Sequence, residues 1–140
     1  DSSALYIASR EGHLACVCLL LEANADAAAR NAFTDTAMHA AAIRGHSHVV
    51  EALAKGGGSV NTCTDDGETP LHCAAYAGHA RVCRILIAMG ADVNTASFSD
   101  RDTPLHRAAF TGNVDVVKQL LRAGADARAL NSDDLTPMDL

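Results

Sequence analysis

Short apolar stripes recur along the chain with a fixed period. Each stripe has the spacing i, i+1, i+4, i+5: Cys16/Val17/Leu20/Leu21, Val49/Val50/Leu53/Ala54, Val82/Cys83/Leu86/Ile87 and Val116/Val117/Leu120/Leu121. That spacing puts the apolar side chains on one side of an α-helix. Successive stripes lie 33 or 34 residues apart. Ahead of each stripe runs a second, shorter helical segment that closes at a glycine: Gly12, Gly45, Gly78 and Gly112. Thr69 opens one of these segments as an N-cap, and Pro70 follows at the first helical position, where its missing N–H costs nothing. Gly90 ends the stripe helix that follows, in the left-handed conformation that closes many helices. Each unit therefore reads as helix, turn, helix, loop. No unit can bury both of its faces alone, so the units must stack.

Two further markers keep the same phase. Thr69-Pro70-Leu71-His72-Cys73-Ala74 returns as Thr103-Pro104-Leu105-His106-Arg107-Ala108, and more weakly as Thr36-Ala37-Met38-His39-Ala40-Ala41, Ser3-Ala4-Leu5-Tyr6-Ile7-Ala8 and Thr136-Pro137-Met138-Asp139-Leu140. Asn24-Ala25-Asp26, Gly57-Gly58-Ser59, Gly90-Ala91-Asp92 and Gly124-Ala125-Asp126 close the units. Over its whole length the chain resembles the ankyrin-repeat family. The resemblance implies an all-α repeat solenoid: paired antiparallel helices joined by β-hairpin loops, with a concave surface formed by hairpins and first helices. It implies one domain over residues 1–140, with repeats at about 1–31 (hairpin missing), 32–64, 65–98, 99–131 and a truncated fifth at 132–140. Ser3, Ala4 and Tyr6 depart from the motif, as do Ala37 and Gly57-Gly58-Ser59. One extra residue between Asn94 and Thr103 predicts an irregular hairpin over 97–101. The fifth unit stops inside its first helix, which reads as a piece of a longer protein.

Composition narrows the function classes. At 140 residues the length suits one domain. No run of 18 apolar residues is available to insert into a membrane, and Asp1-Ser2-Ser3 lacks the pattern of a leader. Five cysteines, odd in number and without a CxxC pair, argue for a reducing intracellular location, cytoplasmic or nuclear. A net charge of −6 argues against nucleic acid as partner.

The candidate chemistry is thin. His39, His72 and His106 hold the repeated motif position, where the resemblance implies that the imidazole braces the Thr and nearby backbone. His13, His46 and His79 recur after the turn glycine. His46 and His48 diverge on a helix, unlike a zinc pair four apart. Lys55-Gly56-Gly57-Gly58-Ser59 lacks the order of a phosphate loop. The expectation is no catalytic residue, no metal, no cofactor and no enzyme activity. Asn94, and less well Asn61, match the pattern in which ankyrin-repeat proteins resemble substrates of a 2-oxoglutarate-dependent asparaginyl hydroxylase.

The charge points to a partner. The four residues before each internal motif Thr hold Asp35, Asp65, Asp66, Glu68, Asp100, Asp102, Asp133 and Asp134 against Arg101, or 1 − 8 = −7. The rest of the chain has nine acids and ten bases, or +1. The resemblance also implies that Arg10/Glu11, Ile43/Arg44, Tyr76/Ala77 and Phe110/Thr111 face the concave groove, with Phe33 and Phe98 on hairpin tips. The expected partner surface is Phe33, Asp35, Ile43, Arg44, Asp65, Asp66, Glu68, Tyr76, Phe98, Asp100, Asp102, Phe110 and Thr111. The expected partner is a protein or peptide segment, basic with apolar anchors, and the chain itself is expected to be a monomer. The alternative is a recognition domain of a larger enzyme or adaptor (a ligase, kinase or acyltransferase) whose catalytic part lies outside these residues.

Overall fold

A computed structural model describes residues 3–140. Asp1 and Ser2, the start of the segment read for a leader, lie outside the described residues. Eight helices follow in four pairs: α1 (Ala4–Glu11) with α2 (Leu14–Glu22), α3 (Ala37–Arg44) with α4 (Ser47–Lys55), α5 (Pro70–Ala77) with α6 (Ala80–Ala88), and α7 (Pro104–Phe110) with α8 (Val114–Arg122). The first helices stack on one another as an inner row, and the second helices as an outer row.

Alanine makes the inner row possible. Ala8, Ala41, Ala42, Ala74, Ala75 and Ala108 are all buried, and such small side chains let first helices approach closely. Leu5, Met38, Leu71 and Leu105 fill one layer between the rows. Val17, Val50 and Cys83, with Leu53, Leu86 and Leu120, fill the next. The predicted stripes are therefore the core, and Cys83 serves there as a small apolar residue whose thiol burial pushes up to about 12.

The motif histidines hold neighbouring units together. Thr69 N–H donates to His72 Nδ1 at 3.1 Å, and the Thr69 hydroxyl lies 2.8 Å from the same nitrogen. An Nδ1 that accepts leaves the ring proton on Nε2, which donates to the Asp102 carbonyl at 3.1 Å. His39 makes the same bonds to Thr36 and to the Glu68 carbonyl, and His106 to Thr103 and the Leu135 carbonyl. Each imidazole thus completes a capping box and pins the next hairpin. Burial holds His39 and His72 below the ordinary imidazole value.

Asparagine does the same on the outer loops. Asn61 donates to the Gly90 carbonyl at 3.0 Å and accepts from Asp92 N–H at 2.8 Å. Asn94 repeats the clamp on Gly124 and Asp126, at 3.1 and 2.8 Å. The hairpins differ from expectation in one respect. No regular strand occurs among the described residues: one bond spans each hairpin, Asn31 to Asp35, Thr64 to Glu68, Ser97 to Asp102 and Asn131 to Leu135, and all but the third add a turn bond inside it, Thr34 to Asn31, Gly67 to Thr64 and Asp134 to Asn131. The span from Ser97 to Asp102 is one residue longer than the others, where the sequence has its insertion.

Candidate protein-interaction surface

The inner row of helices carries the proposed apolar anchors. Ile43, Tyr76 and Phe110 stand at equivalent positions near the ends of α3, α5 and α7, and are 39%, 49% and 67% exposed. A left-handed glycine at the C-cap fixes this geometry in α3 and α5, whereas α7 ends at Thr111 in the right-handed conformation. Gly45 has φ +78°, and a Cβ there would lie 2.7 Å from the His79 ring. Only glycine meets both conditions, so the helix ends at Arg44, with Gly45 as its cap, and leaves Ile43 facing out. Arg44 is also exposed. The Thr111 hydroxyl donates to the Arg107 carbonyl at 2.9 Å and accepts from Asn113 at 2.6 Å, so it is engaged within the chain. Arg10 and Glu11 pair with each other at 2.7 Å.

Two phenylalanines extend the surface onto the hairpins. Phe33 is 81% exposed and Phe98 68%. Phe98 lies over Gly67, where a Cβ would meet its backbone nitrogen at 2.6 Å, and its N–H donates to the Asp66 carbonyl at 2.7 Å. Adjacent hairpin tips are thereby joined. Between the helices and these tips lies a cavity of about 350 Å³ lined by Ile43, Glu68, His72, Cys73, Tyr76 and Arg107. Burial pushes the Cys73 thiol up to about 12, so it is a neutral wall of the cavity rather than a nucleophile.

The acidic rim needs a correction. Asp102 is buried, and Glu68 and Asp100 are only partly exposed. All three surround the guanidinium of Arg107. Nη2 bonds Glu68 Oε1 and lies 2.9 Å from Asp100 Oδ2, and Nη1 lies 3.2 Å from Asp102 Oδ2. Asp102 also accepts from Asn131 Nδ2 at 2.9 Å. Burial alone would raise Asp100, but the Ser97 hydroxyl, the Asp102 N–H and Arg107 outweigh it and hold the carboxyl below its ordinary range. These acids bind the chain to itself. Asp65 and Asp66 remain exposed, with Asp65 only 3.5 Å from Arg30, and Asp133 and Asp134 are exposed on the last tip. Asp35 is half-buried. Counting acids at hairpin positions missed Arg107 because it belongs to the helix motif. The available signal was its position: the other repeats carry Ile7, Ala40 and Cys73 there.

Asn94 and Asn61 are exposed residues whose amides form the clamps described above. No helix among the described residues is long and apolar enough to cross a membrane.

Stacked helix pairs with an exposed inner row and hairpin tips define a repeat solenoid. The ankyrin-repeat family model matches residues 4–97 as three copies, and a single ankyrin-repeat model matches residues 100–132. The chain belongs to the ankyrin-repeat family. Ankyrin repeats are in general non-catalytic modules for protein–protein interaction. Among curated proteins no sequence matches the chain.

Proposed function

We propose that the chain binds a segment of another protein along its concave surface. The observation that carries this reading is the exposed row Ile43, Tyr76 and Phe110, which crosses three consecutive repeats. Apolar side chains exposed in a contiguous patch favour an interface, and aromatic anchors supply most of the energy of such contacts. The partner is a basic and partly apolar segment. Its Lys and Arg side chains meet Asp65 and Asp66, and less strongly Glu68 and Asp100, whose charge is shared with Arg107. Phe33 and Phe98 bound the groove on the hairpin side. The chain acts as a monomer in a reducing intracellular compartment, which suits its five unpaired thiols.

Capture from lysate by the wild type and by Tyr76→Ala/Phe110→Ala, with both shown to be folded, tests the groove. Loss of a partner from the double variant supports it, and retention places binding on another face. Asp65→Lys/Asp66→Lys then tests the electrostatic half: association slows and its salt dependence flattens. Asn94 is proposed as a hydroxylation acceptor, with Asn61 second. An unshifted intact mass after incubation with an asparaginyl hydroxylase and 2-oxoglutarate would sink that part.

A further inference from the structure

The fourth repeat makes a contact that the third does not. Arg107 occupies the position that Cys73 holds one repeat earlier. From there its guanidinium reaches Asp100 and Asp102 of its own hairpin and Glu68 of the hairpin before. Carried back by one repeat, the same geometry runs from residue 73 to Glu68 of its own hairpin and Asp35 of the hairpin before. Cys73 is too short to bridge to either carboxylate. Both acids nonetheless stand near enough to raise its thiol, after the larger effect of burial. Cys73 lines the cavity of about 350 Å³, together with Ile43, Glu68, His72, Tyr76 and Arg107.

The charges at this cavity are unbalanced. Glu68, Asp100 and Asp102 are three acids around one base, Arg107. Five of their six carboxylate oxygens are engaged. Asp100 accepts from Ser97, from the Asp102 N–H and from Arg107, and Asp102 accepts from Asn131 and pairs with Arg107. Glu68 Oε1 bonds Arg107, whereas Glu68 Oε2 makes no hydrogen bond among the described residues. Glu68 is also the one acid of the three that lines the cavity. An apolar side chain entering there would strip water from this oxygen and replace it with nothing, and an anion would be repelled. A cation compensates for the lost water.

We infer that this cavity receives one arginine side chain of the partner segment, with lysine as a weaker substitute, in the role that Arg107 plays one repeat later. The aliphatic stem lies against Ile43 and Cys73, and the guanidinium meets the Tyr76 ring and the Glu68 carboxylate. A planar fork suits a ring and a carboxylate better than an ammonium does. The inference rests on the concave surface being the partner site, and adds the single side chain that fixes the register of the segment there. Asp65 and Asp66, exposed on the tip, draw a basic segment in. The cavity then selects one residue of it.

The test uses a short fluorescein-labelled peptide of alanine and leucine with one central arginine, and its counterpart with citrulline, which has nearly the same shape and no charge. By fluorescence anisotropy the arginine peptide should bind about tenfold more tightly. It should also shift the NMR signals of the Ile43 methyl groups and the Tyr76 ring. Cys73→Arg supplies the side chain from within, and should bring the arginine peptide down to the affinity of the citrulline peptide. Glu68→Gln, a smaller change, should narrow the preference to about threefold or less. A folded Cys73→Arg chain that keeps the full preference overturns the inference. Equal affinity of the two peptides for the wild type does so as well, and if both shift Ile43 and Tyr76 the groove reading stands without the cavity. A preference that moves only the Asp65 and Asp66 signals overturns it in favour of the hairpin tips. So does the absence of saturable binding by either peptide at about 1 mM, while capture from lysate decides the groove reading separately.

Discussion

Helices α2 and α8 hold equivalent places at opposite ends of the outer row, and they differ most on the faces that do not meet the core. α8 carries Asp115, Lys118 and Arg122 on its outer side. α2 has no charge before Glu22, and Leu14, Ala15, Cys16 and Leu19 are all exposed. The junctions behind them differ in the same sense. Between the third and fourth pairs, His72 pins the Asp102 carbonyl, Asn94 clamps the outer loops, and Arg107 crosses to Glu68. Between the first and second pairs, Tyr6 replaces the pinning histidine and Ala28 replaces the clamping asparagine. What remains there is the His46 bond to Arg10, together with Arg30 to Cys63 and to Asp65 at 3.5 Å, and Asp65 to Thr34. Stability in a solenoid is close to a sum of unit and nearest-neighbour contributions. The first pair is therefore the loosest unit, and the third and fourth form the firmest block.

The contrast is broken most sharply by equivalent leucines. Leu86 is fully buried, whereas Leu20 is half-covered. Leu86→Ala should cost about 3 kcal/mol in urea unfolding, and Leu20→Ala about half as much. Equal losses would show that the first pair is as well packed as the third. Arg107→Met comes next. It leaves three partly buried carboxylates without their cation and should cost about 2 kcal/mol. A further Asp102→Asn change should recover part of the loss, because one uncompensated charge is then removed. If Arg107→Met is neutral in urea, the cluster contributes nothing to the junction.

Acid should act on the histidine braces and spare the first helix. His39 and His72 are held neutral by burial, below the ordinary value of 6.5. At pH values below 6.5 the unfolded chain therefore binds more protons than the folded one, and stability rises with pH across that window. The contribution is complete above about 6.5 and is lost as the pH falls toward the folded values, by up to about 1.4 kcal/mol per pH unit for each imidazole. Protonation at Nδ1 also sets an N–H against the Thr36 or Thr69 N–H, which opens the capping box. Hydrogen exchange at pH 5.5 should show α3 and α5 losing more protection than α1, where Tyr6 has no such proton to gain. Uniform loss along the stack would mean that other groups dominate acid unfolding.

The helix pairs and their caps were legible because repetition multiplies weak signals. A single Thr-Pro-Leu-His could arise by chance, but the same phase in glycines, stripes and loop closures could not. The same repetition explained most of the histidines, since a residue that returns every 33 or 34 positions serves the stack. Charge was legible only as composition. Asp102 and Glu68 count as acids of the hairpins, yet their partner lies in α7, and Arg107 is 39 residues from Glu68. Local spacing carries no record of such a contact. The hairpins were read as β from the resemblance, but the one or two backbone bonds in each form no ladder. The exposure of Cys16 in α2 was visible only through burial, because Cys16 and Val49 look alike in a hydrophobic pattern.

The smallest expected effect isolates the outer clamp. Ala28 stands where Asn61 and Asn94 stand in the next two repeats. By the same geometry, Ala28→Asn would donate to the Gly57 carbonyl and accept from Ser59 N–H. Two bonds at an exposed loop, less the cost of ordering one amide side chain, should stabilise the first junction by about 1 kcal/mol. The gain should be greatest in hydrogen-exchange protection of α2, since that helix has no clamp of its own to α4. Asn61→Ala should produce the opposite change between α4 and α6, where the clamp is already made. If Asn61→Ala destabilises but Ala28→Asn has no effect, the clamp depends on its receiving loop. The loop around Gly56-Gly57-Gly58 would then be too mobile to hold an amide, whereas the Met89-Gly90-Ala91 loop holds one.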